Sequence, residues 1–208
     1  MLAIVDYGVG NLFSLKSSLH AVHADAVVTR DADMLAKADR IILPGVGAFG
    51  DAAVKLRETG LADAVLDEAS AGKPLMGICL GMQLLFEKSL EYGEHAGLGL
   101  LKGCVKPLAG YIPENYKIPQ IGWNALSFVN GGENAPIFKS LKNGTHVYFV
   151  HSFYAADCDD SLLATTEYGR DVTAAVGKDN VFGCQFHPEK SGGAGLRILK
   201  SFAEMEAL

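Results

Sequence analysis

The sequence predicts an α/β protein: a mainly parallel central sheet with helices on both faces, and additional antiparallel strands in its second half. Three observations predict it. Up to about residue 79, short apolar runs alternate with helix-period patterns, the mark of parallel strands joined by right-handed crossovers. After Gly93, strand-like stretches follow one another closely, several separated by turn clusters such as NGGENAP and KNGT. A last segment, Gly195 to Met205, repeats Leu196, Leu199, Phe202 and Met205 every third residue, which suits a closing helix packed on the sheet.

LAIVD (Leu2 to Asp6) reads as the first strand. Asn11 is placed to cap a helix in which Leu15, Leu19 and Val22 share a face. AVVT (Ala26 to Thr29) is a second strand, DADMLAKA a short helix, and RIILPG (Arg40 to Gly45) a third strand. Two helical segments run from about Asp51 to Ala71 around Gly60. The apolar run that follows ends at Cys79, and Met82, Leu84, Leu85 and Phe86 continue at spacings a helix buries. GLLKGCVKPL, PQIGWNALSF, THVYFVHSFYA, LLATTEY, TAAVG and VFGCQF are the later strands. There is no internal repeat or linker, so residues 1–208 are expected to form one domain.

Composition excludes several function classes. A hydrophobic fraction of 49% with 20% charged residues fits a globular protein. Eighteen basic against 24 acidic residues give a net charge of −6, with no basic stripe to follow a phosphate backbone, so nucleic acid is not expected as a partner. No apolar run is long enough to span a bilayer, and the first residues read as a strand entering a glycine turn rather than a secretion signal. The expectation is a cytoplasmic protein without a membrane partner. Cys79, Cys104, Cys158 and Cys184 are scattered without metal-ligand spacing, so neither a disulfide framework nor a metal is expected.

Chemistry enters at GICLG, Gly77 to Gly81, which has the G-x-nucleophile-x-G form of a nucleophile elbow. Side chains at either glycine would collide with the neighbouring strand or helix. The Leu80 N–H would point to where a carbonyl oxygen becomes an oxyanion, and the following helix start would favour thiolate at Cys79. A small buried core cysteine is the plainer alternative. The partner base stands in CQFHPEKSG: in an extended segment His187 and Glu189 face the same way, and a carboxylate beside an imidazole fixes its tautomer. His151, in YFVHSFY, competes as base but has no acidic neighbour in sequence. His20, His23, His95 and His146 lie in helical or loop contexts and read as surface residues. LPGVGAFGD supplies a glycine-flanked peptide for a second oxyanion donor, with Val46 and Gly47 both open as the donor. It lacks the spacing of a phosphate cradle, so no cofactor is expected.

Together, GICLGMQ and QFHPE resemble the class I, or triad, glutamine amidotransferases. DYGVGN, LPGVGAFGD, GICLGMQLLFE, PQIGWN, YFVHSFY and QFHPEKSG, in that order along nearly the whole chain, resemble the branch of that family that serves imidazole glycerol phosphate synthases. The resemblance implies a flavodoxin-like fold and hydrolysis of glutamine, with ammonia passed to a separate (β/α)8-barrel cyclase subunit in a heterodimer of histidine biosynthesis. It implies Cys79, His187 and Glu189 as the catalytic triad, and Gln83, Glu91, Ser152 and Phe153 near the glutamine. Asn11, Trp123, Tyr148, His151 and Lys190 would lie toward the cyclase. Phe153 departs from the family, where tyrosine is common. The family also implies a free chain almost inactive until the cyclase binds its ligand, and a Val46 peptide turned away from the site offers a physical account of that resting state. Rival readings are a glutaminase serving another synthase, a γ-glutamyl hydrolase, a silent regulatory module and a flavodoxin-like cofactor binder.

Overall fold

The computed structural model describes residues 1–206. In chain order its strands and helices are β1 (Leu2–Val5), α1 (Leu12–Ala21), β2 (Ala26–Thr29), α2 (Ala32–Lys37), β3 (Arg40–Leu43), α3 (Phe49–Glu58), α4 (Leu61–Ser70), β4 (Leu75–Ile78), α5 (Leu80–Leu84), β5 (Phe86–Ser89), β6 (His95–Ala96) and β7 (Leu101–Pro107). There follow β8 (Gln120–Ala125), β9 (Ser127–Phe128), β10 (His146–His151), β11 (Phe153–Ala156), β12 (Leu162–Glu167), β13 (Asp171–Lys178), β14 (Val181–Cys184) and α6 (Gly192–Ala203).

The main sheet has the order β2-β1-β3-β4-β14-β13-β12-β9. From β2 to β14 every pairing is parallel; from β14 to β9 every pairing is antiparallel. The parallel part has the doubly wound order typical of flavodoxin-like sheets, whose ligands gather at the carboxyl ends of the strands. Strands buried on both faces explain the continuous apolar runs. In β1, Ala3 and Val5 join one core with Ile41, Leu43, Leu56 and Val65, whereas Leu2 and Ile4 join the other with Leu15, Leu19, Ile198 and Phe202. The side-chain alternation of a strand thus feeds two helical layers, α2 to α4 on one face and α1 with α6 on the other.

Two smaller sheets flank the carboxyl edge: β10 with β8, and β11-β7-β5-β6. Asn11 caps α1, its Oδ1 accepting from Ser14 N at 3.3 Å. Three expectations are corrected. The helix after Cys79 stops at Leu84, and Phe86 opens β5, so strands return before Gly93. His95 and His146 begin strands, β6 and β10, and His95 is half-buried rather than on the surface. His187 and Glu189 are not two steps along an extended segment, because Pro188 opens a 3₁₀ turn over Pro188–Lys190.

Candidate active site

The site grows from two neighbouring strand ends. β4 and β14 are parallel partners, with Ile78 opposite Cys184, so the residues that follow them leave the sheet side by side. The Cys79 N–H donates to the Cys184 carbonyl at 2.7 Å, extending that pairing by one residue. Cys79 then turns sharply, with φ 53° and ψ −111°, a conformation an L-residue holds only at a cost of about 1–3 kcal/mol. The flanking glycines make the turn feasible. A Cβ on Gly77 would stand 2.6 Å from the Gly81 carbonyl and Met82 backbone; one on Gly81 would stand 1.8 Å from the Leu43 carbonyl oxygen.

Beside it, the His187 turn is stitched to β10. The His187 N–H donates to Tyr148 O at 3.0 Å; Ser191 Oγ accepts from Tyr148 N at 3.0 Å and donates to His187 O at 2.6 Å. Within the turn, His187 Nδ1 lies 2.8 Å from Glu189 Oε1, and both side chains are almost fully buried. Burial by itself works against a charged imidazole here, but hydrogen bonds to the Cys79 and Glu189 side chains prevail and raise its pKa to about 9. The ring is therefore held as imidazolium beside the sulfur at neutral pH. Helix α5 has only five residues, so its dipole, expected from the sequence to favour thiolate, is small beside that charge.

A third loop, Pro44 to Ala48, leaves β3 and lies against the elbow. Gly45 approaches so closely that a Cβ there would meet Gly81 N at 2.7 Å and Leu80 Cβ at 2.9 Å. Buried Tyr7 fastens the loop from β1 by donating its hydroxyl to Pro44 O at 2.8 Å. Buried Glu91 fastens its far end, Oε2 accepting from Phe49 N at 2.6 Å. Val46 is 42% exposed, and Gly47 has φ +97°.

These three loops, with the β10–β11 junction, enclose a cavity of about 430 Å³. Cys79 and His187 line it together with Leu80, Val46 and Gly47. So do Gln83, Glu91, Ser152 and Phe153, the four residues expected near glutamine. Of those expected toward a partner, His151 and Lys190 also line it. His151 is itself buried: Nδ1 lies 2.8 Å from Phe153 O, Nε2 lies 2.9 Å from Gln120 Oε1, and burial lowers its pKa to about 4. Its ring is thus committed inside the protein and kept neutral, which removes it as a rival base of ordinary basicity. Asn11 and Trp123 lie outside the cavity on the surface, where Trp123 is 53% exposed, edge-on to half-buried Tyr148 at 6.1 Å between ring centres. Lys190 Nζ sits 5.9 Å above the same tyrosine ring. Exposed Ile121, two residues from Trp123, faces solvent as well.

Four residues of this arrangement were absent from the sequence reading: Tyr7, Ser191, Tyr92 and Gln185. Tyr92 lines the cavity mouth, edge-on to Phe153 with ring centres 6.1 Å apart. Gln185 is fully buried, with its Nε2 3.7 Å from Cys79 Sγ. Tyr7, Ser191 and Gln185 sit within motifs quoted above, DYGVGN and QFHPEKSG, but nothing in spacing distinguishes a polar side chain that ties the site together from one that faces water. Among the described residues no group of His, Cys, Asp and Glu is arranged to hold a metal ion, and no helix is long and apolar enough to cross a membrane.

A strained cysteine after a parallel strand, beside a histidine paired with a buried carboxylate at the wall of a small cavity, is the arrangement of a thiol acyl-transfer enzyme. The family model described as glutamine amidotransferase class-I matches residues 3–205, and the chain belongs to that family. Among solved structures it is similar to one described as a crystal structure of glutamine amidotransferase, with a TM-score of 0.75 at 21% identity, covering 98% of this chain and 99% of that one. It is similar, too, to PurLQS from Thermotoga maritima, with a TM-score of 0.69 at 26% identity, covering 97% and 96%.

The closer likeness is to imidazole glycerol phosphate synthase subunits HisH. The chain is 50% identical to that of Wolinella succinogenes over 207 residues, 99% of this chain and 100% of the relative. It is also 50% identical to that of Caldanaerobacter subterraneus subsp. tengcongensis over 206 residues, 99% of this chain and 98% of the relative.

Proposed function

We propose that this chain, acting as one glutamine amidotransferase unit over residues 1–208, is the glutaminase subunit of an imidazole glycerol phosphate synthase. It hydrolyses glutamine to glutamate and delivers ammonia to a (β/α)8-barrel cyclase in a cytoplasmic heterodimer of histidine biosynthesis. The observation that carries the reaction is the buried His187–Glu189 pair, Nδ1 to Oε1 2.8 Å, held beside Cys79 by the β14–β4 pairing. The names and extents of the relatives support the choice of synthase.

Cys79 thiolate attacks the side-chain carboxamide carbon of glutamine, and the carbonyl π electrons move to oxygen. That oxyanion is received by the Leu80 N–H and by a peptide of the Val46–Gly47 loop, which Tyr7 and Glu91 hold against the elbow. His187, protonated at neutral pH, gives its proton to the departing nitrogen, and ammonia leaves a γ-glutamyl thioester on Cys79. Neutral His187 then takes a proton from water as the water oxygen attacks the thioester. Collapse releases glutamate and restores the thiolate and imidazolium. Glu189 keeps the Nδ1 proton in place through both halves. A buried carboxylate on the His187 ring, set beside a strained cysteine, supports this reading over a silent module.

The exposed Trp123, Ile121 and Val46, with Lys190 and Tyr148 beside them, support an apolar partner face at the cavity mouth. The test is glutamate release by this chain alone, then with a cyclase subunit and its nucleotide ligand, with Cys79→Ala as control. Activity that appears in the complex and vanishes in the variant is expected. Equal activity in the free chain would move the assignment to an independent glutaminase or hydrolase.

A further inference from the structure

The sulfur of Cys79 has a polar neighbour besides the histidine. Gln185, the first residue past β14, is fully buried, and its Nε2 donates toward Cys79 Sγ across 3.7 Å. Which end of a side-chain amide meets a neighbour is decided by what its other end must do. Here the decision traces back to a backbone carbonyl. Phe153 O only accepts, and it takes a hydrogen from Gln83 Nε2 at 3.1 Å, which sets the orientation of the Gln83 amide. The same Nε2 gives its other hydrogen to Gln185 Oε1 at 3.0 Å. With its oxygen so occupied, Gln185 must turn its NH2 group toward the sulfur.

His151 Nδ1 lies on the other side of the Phe153 carbonyl at 2.8 Å. The relay therefore has one polarity from end to end. It presents an N–H donor to Cys79 and spends both N–H groups of Gln83, leaving only Gln83 Oε1 free for a ligand in the cavity.

We propose that Gln185 is a catalytic residue of this site, its side-chain N–H hydrogen-bonding the Cys79 thiolate and raising the thiolate fraction, with Gln83 as the positioning residue that sets the amide's polarity. The inference rests on Cys79 as the nucleophile. Burial alone would favour the neutral thiol; a donor aimed at the sulfur favours the anion. The same contact stabilises the sulfur again when the thioester breaks down and the thiolate leaves.

The experiment is peptide-resolved alkylation of Cys79 by iodoacetamide in the free chain, with rate followed against pH. Gln185→Leu is expected to raise the midpoint by about one pH unit, the scale of one hydrogen bond to an ionised group. Gln185→Glu, matched in shape, raises it further by setting a carboxyl against the sulfur. Gln83→Leu raises it by less, since the freed Gln185 amide then presents either end. A midpoint that does not rise in a folded Gln185→Leu overturns the proposal, even if glutamine turnover in the complex falls, because that pattern is a purely structural role. If Gln185→Leu does not fold, Gln185→Glu decides, and a midpoint that fails to rise there overturns it equally. Undiminished glutamine hydrolysis by Cys79→Ala in the complex would instead overturn the nucleophile itself, whatever the alkylation profile.

Discussion

Replacing Gly81 with alanine would drive a methyl group into backbone. The new Cβ would lie 1.8 Å from the Leu43 carbonyl oxygen, 2.8 Å from its carbon and 3.0 Å from the Pro44 carbonyl carbon, where real Cβ contacts under 3.0 Å essentially never occur. No flexible side chain is there to swing away, so α5 and the end of β3 must separate by more than about 1 Å, a scale at which misplaced groups cost roughly a hundredfold in rate. That gap opens between the elbow and the Pro44–Ala48 loop, the proposed source of one oxyanion donor. Overpacking typically costs about 1–3 kcal/mol, and with backbone on both sides the upper end applies. For a chain of this size, about 3 kcal/mol lowers the melting temperature by roughly 6–12 °C. Gly60→Ala is the control: φ there is +73° with nothing within 4 Å of the added carbon, so it brings conformational strain of about 1–2 kcal/mol and leaves the site untouched. Calorimetry and glutamate release with the cyclase partner read both effects. Gly81→Ala retaining turnover within twofold of the native chain would refute the argument that this close approach sets the site.

His187 links pH to both stability and turnover. Its raised pKa means that its stabilising interactions are present in full below the ordinary imidazole value of 6.5 and are lost as pH rises through about 9. Urea unfolding should show the stability advantage over Glu189→Gln shrinking from pH 6 to pH 10, and glutamate release should fall above pH 9, at lower pH in that variant. Ser191→Ala removes two hydrogen bonds, a buried one to His187 O and a half-buried one from Tyr148 N, and is expected to cost about 2 kcal/mol in denaturant unfolding. In the same variant kcat should drop about tenfold with KM nearly unchanged, since the serine orients the histidine without touching the cavity. Trp123→Ala should leave the melting temperature within about 2 °C, because the ring is 53% exposed, while weakening association with the cyclase by more than tenfold in titration calorimetry.

Much of the fold was legible because its signals are local. Asn11 at a helix start, Gly60 between two helical patterns and unbroken apolar runs such as RIIL each follow from short-range chemistry. The elbow was legible for a similar reason: glycine on both sides of a turning cysteine is a steric demand written into five residues. The helix after Cys79 was overextended because Leu84, Leu85 and Phe86 suit a buried strand as well as a buried helix, and the chain leaves the helix at Leu84 to begin β5. The extended reading of His187 to Glu189 failed at Pro188, whose restricted φ favours the start of a 3₁₀ turn. His151 was expected to lie toward a partner because no acidic residue stands near it in sequence; Gln120, which meets its Nε2, comes from β8, the strand paired with β10, where the two residues stand directly opposite.

By itself, the sequence determined the alternation that makes a two-faced parallel sheet, the strained corner at Cys79 and the chemical types His187 and Glu189, since each depends on residues within a few positions of one another. Only the tertiary structure decided that β14 lies beside β4, which brings chain positions more than a hundred residues apart to one cavity. It alone decided how the amides of Gln83 and Gln185 point, because an amide's polarity is set by partners such as the Phe153 carbonyl that neither residue meets until the chain has folded.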